Sequence, residues 1–168
     1  VAYILTAQLE DEQTGDSAFE RYQEYLASVR DQMPPRAYTL ATSTWYFDSR
    51  DHRAPHDAWL ESARVVEDAR PGQPRQRSVR IELRLLGAYH DGIIELHYDD
   101  VSRYRIDLAP HESEAGHGHR DWRYDEFRLA ANGRVEHEIE WWGRRQTGSW
   151  LIEAADVEYH WLPIATSR

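Results

Sequence analysis

The chain has 168 residues, with 30 acidic side chains against 20 basic ones, a formal net charge of −10 and no cysteine. That charge repels phosphate backbones over a Debye length of about 8 Å, which argues against nucleic acid as a ligand; the missing thiols exclude disulfides, thiolate zinc centres and cysteine nucleophiles. All 20 basic residues are arginine, so Schiff-base chemistry, a phosphate-binding P-loop and a kinase-type lysine are excluded as well.

The arginine-for-lysine bias reads as the mark of a GC-rich bacterial genome. No apolar run approaches the roughly 20 residues that cross a bilayer. The opening "VAYILTAQLEDEQ" turns acidic without the basic stretch or small-residue cleavage site of a secretory signal. Residues 1–168 are therefore expected to form a single cytoplasmic domain that does not engage a membrane.

In chain order, "VAYILTAQL" suggests a short strand. Phe19, Tyr22, Leu26, Val29 and Met33 then recur at three- and four-residue intervals and predict an amphipathic helix. Asp16 or Ser17 can cap it, Glu20 completes a Ser-x-x-Glu capping box, and Pro34-Pro35 stops it. "RAYTLATSTWYF" and "DAWLESARVVED" both read as strands, the second followed by the turn-rich "ARPGQPRQR". In "SVRIELRLL" Val79, Ile81, Leu83 and Leu85 alternate with Arg80, Glu82 and Arg84, as in a half-buried antiparallel strand.

Asp91-Gly92 signals a tight hairpin that pairs residues 78–89 with 93–99. "VSRYRIDL" extends or follows that second strand, "DWRYDEFRL" adds another, and Asn132-Gly133 turns the chain into "RVEHEIEWW". In the closing "SWLIEAADVEYHWL", Trp150 and Ile152 share a parity that Val157, Tyr159 and Trp161 do not, which predicts a bulge near Ala154 to Asp156. The predicted fold class is α+β: an N-terminal helix packed on an antiparallel meander of about seven strands, either strongly curled or partly closed into a barrel.

Four features carry candidate chemistry. In "WYFDSRDHRAPHDAW" His52 and His56 have the spacing of helical metal ligands, but Pro55 denies them a common helix face and makes the segment a corner between strands. His56 and Asp57, leading into the strand at Trp59, survive as candidates. Secondly, His111, His117 and His119 lie in a Gly-containing loop and form a possible divalent-metal set of imidazole and carboxylate donors. Thirdly, "RVEHEIEWW" places Val135, His137, Ile139 and Trp141 on one face, which makes His137 a buried imidazole, and puts Glu136, Glu138 and Glu140 on a solvated face. Two of those carboxylates lie at a glycosidase-like spacing, but they would come from one wall of a cleft rather than two. Lastly, seven tryptophans and ten tyrosines exceed what a core needs and suggest an aromatic pocket or an exposed aromatic patch.

The function expected from these features is a non-enzymatic binding domain, regulatory or toxin-neutralising, that engages a basic protein partner through acidic and aromatic groups. The candidate contact residues are His56, Asp57, Trp59, His97, His137, Trp141 and Trp142. No cofactor is required for that role. Two alternatives stand beside it. One is a carrier that stacks a small ligand in an aromatic pocket, oriented by His97 or His137. The other is a hydrolase dependent on one divalent metal ion, using His56 and Asp57 with one or more of His111, His117 and His119.

Overall fold

Ala18, Tyr22 and Leu26 are fully buried along one side of helix α1, Gly15–Val29, with Phe19, Tyr25 and Val29 flanking them. The computed structural model describes residues 1–5, 15–108, 118–142 and 148–165. Asp16 and Ser17 lie inside the first turn of α1 rather than before it, and Met33 is buried just beyond its end. Residues 1–5 form no strand; the N–H groups of Tyr3 and Ile4 donate instead to Glu126 Oε2 at 2.8 and 2.9 Å.

Helix α1 stops at Val29, ahead of Pro34-Pro35, and that pair opens a second helix instead. Helix α2, Pro35–Ala41, replaces the strand expected there. Proline fits the first helical position, whose N–H has no partner inside the helix. The exposed N–H groups of that first turn are met from a distant strand: Asp156 accepts from Arg36 N at 3.2 Å and from Ala37 N at 2.9 Å.

Eight described strands follow, in two antiparallel sheets rather than one meander. They are β1 Trp59–Arg70, β2 Gln73–Leu86, β3 Gly92–Asp99, β4 Arg103–Ile106, β5 Trp122–Leu129, β6 Val135–Trp141, β7 Gly148–Ala154 and β8 Asp156–Pro163. The first sheet has the order β1-β2-β3-β8 and the second β4-β7-β6-β5. The sheets join at a corner, where Ala155 N bonds Asp99 O and Ser102 N bonds Glu153 O, but they do not close into a barrel. Buried residues of both sheets and both helices form one hydrophobic cluster.

Three sequence expectations change on this frame. The turn-rich "ARPGQPRQR" is mostly strand: β1 runs to Arg70 and β2 starts at Gln73, with the turn confined to Pro71 and Gly72, so the segment is the tip of a long exposed hairpin. The parity break near Ala155 is not a bulge but the point where the chain leaves the second sheet and enters the first. The Asp91-Gly92 pair does not supply a two-residue turn either. Gly87 N and Gly92 O close a longer loop in which His90 takes the positive φ of 57°. Gly92 serves a different need, since a Cβ there would stand 2.1 Å from the Trp161 ring.

Helix α1 runs along the outer edge of β5 instead of filling a curled sheet. Tyr22 Oη accepts from Phe127 N at 2.8 Å and donates to Phe127 O at 3.1 Å, and Tyr25 Oη accepts from Leu129 N at 2.7 Å. Two tyrosines thus satisfy backbone groups that a neighbouring strand would otherwise pair.

Candidate functional site

The histidines and carboxylates singled out in the sequence are distributed over separate places. His137, on the inward face of β6, is wholly buried. Its Nε2 lies 2.8 Å from Asp125 Oδ2 and its Nδ1 2.7 Å from Tyr98 Oη, while the Phe127 ring stacks on it at 3.9 Å. Asp125 also accepts from Tyr46 Oη at 2.9 Å and from Trp122 Nε1 at 2.8 Å. A carboxylate only accepts, so His137 carries its hydrogen on Nε2 and Nδ1 accepts from Tyr98.

Burial first, and the negative Asp125 second, push the hydroxyls of Tyr46 and Tyr98 well above the ordinary tyrosine pKa, so both remain donors. The Tyr98–His137–Asp125 chain has the residue types of a proton relay, but Tyr98 and His137 are at 0 % exposure. It holds the two sheets together.

His56 is half-buried, with Nδ1 3.1 Å from Asp57 Oδ2, but the pair is not aligned as a hydrogen bond and that nitrogen has no partner among the described residues. Asp57 takes a positive φ of 62° and its N–H donates to Trp122 O at 2.9 Å, so it forms the corner between loop and strand. His56, Tyr46, Trp122 and Asp125 border a cavity of about 60 Å³, room for little more than a water or two.

Trp59 is exposed and donates Nε1–H to Asp121 at 2.7 Å. Trp141 is buried, whereas Trp142 is exposed beneath the Arg123 guanidinium at 4.6 Å. His119 packs against the rings of Trp141 and Trp150. His111 and His117 lie outside the described residues. Of the seven tryptophans, Trp122, Trp141 and Trp150 fill the space between the sheets.

A larger concavity lies elsewhere, between α2 and β8. A groove of about 480 Å³ is walled by Leu40, Trp45, Val157 and Tyr159, with Arg36 and Glu158 at its rim. The Trp45 and Tyr159 rings lie 5.0 Å apart, and Tyr159 Oη is tied to Arg53 O at 2.6 Å. Asp156 sets the geometry by anchoring the start of α2 to the start of β8.

β8 is also an edge strand. Ile164 N donates to Asp91 O, which continues the β3–β8 register. The two-residue alternation of antiparallel pairing therefore turns the main-chain groups of Val157, Tyr159 and Trp161 away from β3, toward the groove side. Val157 N is met by Asp156 Oδ1; Tyr159 N has no acceptor among the described residues.

On the outer face of the same strands, His97 stands directly opposite Glu158, and Glu95 opposite His160. Ligand atoms of His97, Glu158 and His160 all lie within 4.8 Å of one another. The sequence reading selected His97 alone. Alternation in "ELHYD" and "VEYHW" places each His with its Glu on one face, but only the pairing of two segments some sixty residues apart brings them together. Arg36 and Leu40 carried no motif, and neither Trp45 nor Tyr159 was marked as a contact residue.

No described helix is long and apolar enough to cross a membrane. Comparison with known proteins finds no family model, no curated protein and no solved structure that matches this chain.

Proposed function

We propose that the chain is a non-catalytic binding module, regulatory in role, which takes an extended segment of a basic protein partner into the groove between α2 and β8. The observation that carries this reading is an apolar groove running along a strand edge. An edge strand offers main-chain pairing to an incoming segment, and the groove offers a pocket for one of its side chains. Leu40, Trp45 and Tyr159 suit an apolar or aromatic anchor. Asp99 and Glu158 remain half-exposed beside a single Arg36, so Arg or Lys flanking the anchor is favoured. The net charge of −10 steers such a partner from a distance.

A displayed-peptide selection tests it, with Ser43→Trp as the comparison. Ser43 lines the groove without belonging to the core, so the larger ring fills the groove and spares the fold. Selected peptides are expected to combine an apolar anchor with Arg or Lys, and to lose binding to the variant. Peptides that bind both proteins equally, or none at all, overturn the reading.

A second reading is favoured by the groove's size: about 480 Å³ falls within the roughly 300–1,000 Å³ of small-molecule sites. A carrier of a small aromatic ligand would then use this external groove rather than the space between the sheets. Quenching of Trp45 fluorescence by such ligands, abolished in Ser43→Trp, distinguishes it from the peptide reading.

A further inference from the structure

We infer that His97, Glu158 and His160 form a site for one divalent transition-metal ion, zinc above all, on the outer face of β3 and β8. The inference stands apart from the groove reading, although Glu158 borders both places.

The backbone fixes where the donors start from. β3 is paired on both sides, by β2 and by β8, so the strand that bears His97 and the register that sets Glu158 across from it are fixed. Donors on such rigid elements need only side-chain rotation to reach a common ion. The ligand atoms lie within 4.8 Å of one another. Tetrahedral zinc with bonds of about 2.0–2.2 Å separates its ligands by roughly 3.3 Å, and small rotations of three partly exposed side chains close that difference. The two imidazole rings already stand 5.2 Å apart at their centres.

The donors are also only weakly engaged by their neighbours. Neither imidazole makes a hydrogen bond among the described residues. The nearest carboxylate oxygens, on Glu95 for His97 and on Glu158 for His160, are each 3.6 Å from Nε2. The neighbouring charges sort the carboxylates. Arg84 holds Glu95 at 2.7 Å. Arg36 holds Asp99 at 2.7 Å and Asp156 at 3.2 Å, and reaches Glu158 only at 3.6 Å. Glu158 is thus the carboxylate most readily given to an ion.

Two imidazoles and one carboxylate, without sulfur, suit zinc, cobalt or nickel better than calcium or magnesium. Three protein ligands leave a fourth tetrahedral position for water or for a side chain of a bound partner.

The test uses the whole untagged chain, with zinc in calorimetry and cobalt in visible absorption. One equivalent of metal is expected, with the intense visible bands of four-coordinate cobalt. His97→Gln and His160→Gln, made separately, are each expected to weaken binding by roughly tenfold or more, while His111→Gln combined with His117→Gln leaves it unchanged. Both single variants alter partly exposed side chains, and an unchanged thermal unfolding curve certifies their folding. The inference fails if no equivalent binds, if both single variants bind as the parent does, or if the His111 and His117 double variant is the one that loses the metal.

Discussion

His97 on β3 and His137 on β6 show how differently one residue type is used outside the two sheets and between them. Tyr98, the residue next to His97, points inward and bonds His137; His97 itself points outward. Around His137 every donor and acceptor is matched, from Tyr98 through Asp125 to Tyr46 and Trp122. Around His97 the nearest carboxylates stay beyond hydrogen-bonding distance and solvent reaches all three groups. A saturated polar network in a low-dielectric interior contributes stability and specificity. An unsaturated one at the surface contributes little to the fold and is free to take a ligand. Imidazole and carboxylate near one another therefore do not identify a functional site; unfilled coordination does.

The sharpest way to break this comparison is to remove the acceptor at the centre of the sealed network. Asp125→Ala strands three buried donors, on Tyr46, Trp122 and His137, and is expected to cost about 3–5 kcal/mol in urea unfolding, the range for breaking one side of a buried charged contact. A loss under about 1 kcal/mol would mean that the network is not what joins the sheets.

The next effect is at the edge of the same sheet. Tyr22→Phe keeps the ring packed and deletes the hydroxyl that serves both Phe127 N and Phe127 O. Two buried backbone groups are left without partners, at an expected cost of about 1–3 kcal/mol. Amide exchange sharpens the reading, because protection should fall first at Phe127. If exchange there stays slow, α1 shields the strand edge by burial rather than by its hydroxyl.

Where the sequence was legible, a face was buried on a regular period. Tyr22 and Leu26 marked α1, and the alternation through Val135, His137 and Ile139 foretold that His137 is internal. Legibility failed where local rules had two outcomes. Pro34-Pro35 can end a helix or begin one, and α2 shows the second. A parity break can be a bulge or a change of sheet, and Ala155 shows the second. The long hairpin tip is exposed on both faces, so selection for burial left no alternation to read. The candidate sites were hidden for another reason: Asp125 with His137, and Glu158 with His97, meet only through strand register, which no single segment encodes.

A smaller effect is predicted on the open side. His97→Gln together with His160→Gln is expected to change stability by less than about 0.5 kcal/mol in the absence of metal, as for surface substitutions that leave no buried group unpaired. Added zinc should then raise the melting temperature of the parent and not of the double variant, because an ion that binds only the folded chain stabilises it. A double variant that loses several kcal/mol without metal would show that this face is structural after all, and that its resemblance to the sealed network is deeper than its exposure indicates.

The smallest effect concerns the corner where the two regions join. Hydrogen bonding to Arg134 comes first among the causes that lower the Asp100 carboxyl, with Ser78 and the charge of Arg70 adding to it. For Glu153 it is hydrogen bonding from Ser102 and then Asn132. Both groups are more acidic in the folded chain than the ordinary values of about 3.9 and 4.3 for free side chains. The unfolded chain therefore binds more protons as the solution is acidified. The stability these groups contribute is complete only above about pH 5, clear of the unfolded values, and is lost as the pH falls through their lower folded values. Asp100→Asn with Glu153→Gln should accordingly lower stability at neutral pH and flatten its dependence below about pH 5, read as urea midpoints across that range. Because Asp100 keeps partial contact with solvent, screening holds its share of the effect small. An acid limb of unchanged steepness in the double variant would place the acid-sensitive carboxylates elsewhere, and would leave the corner joined by its main-chain bonds from Ala155 and Ser102 alone.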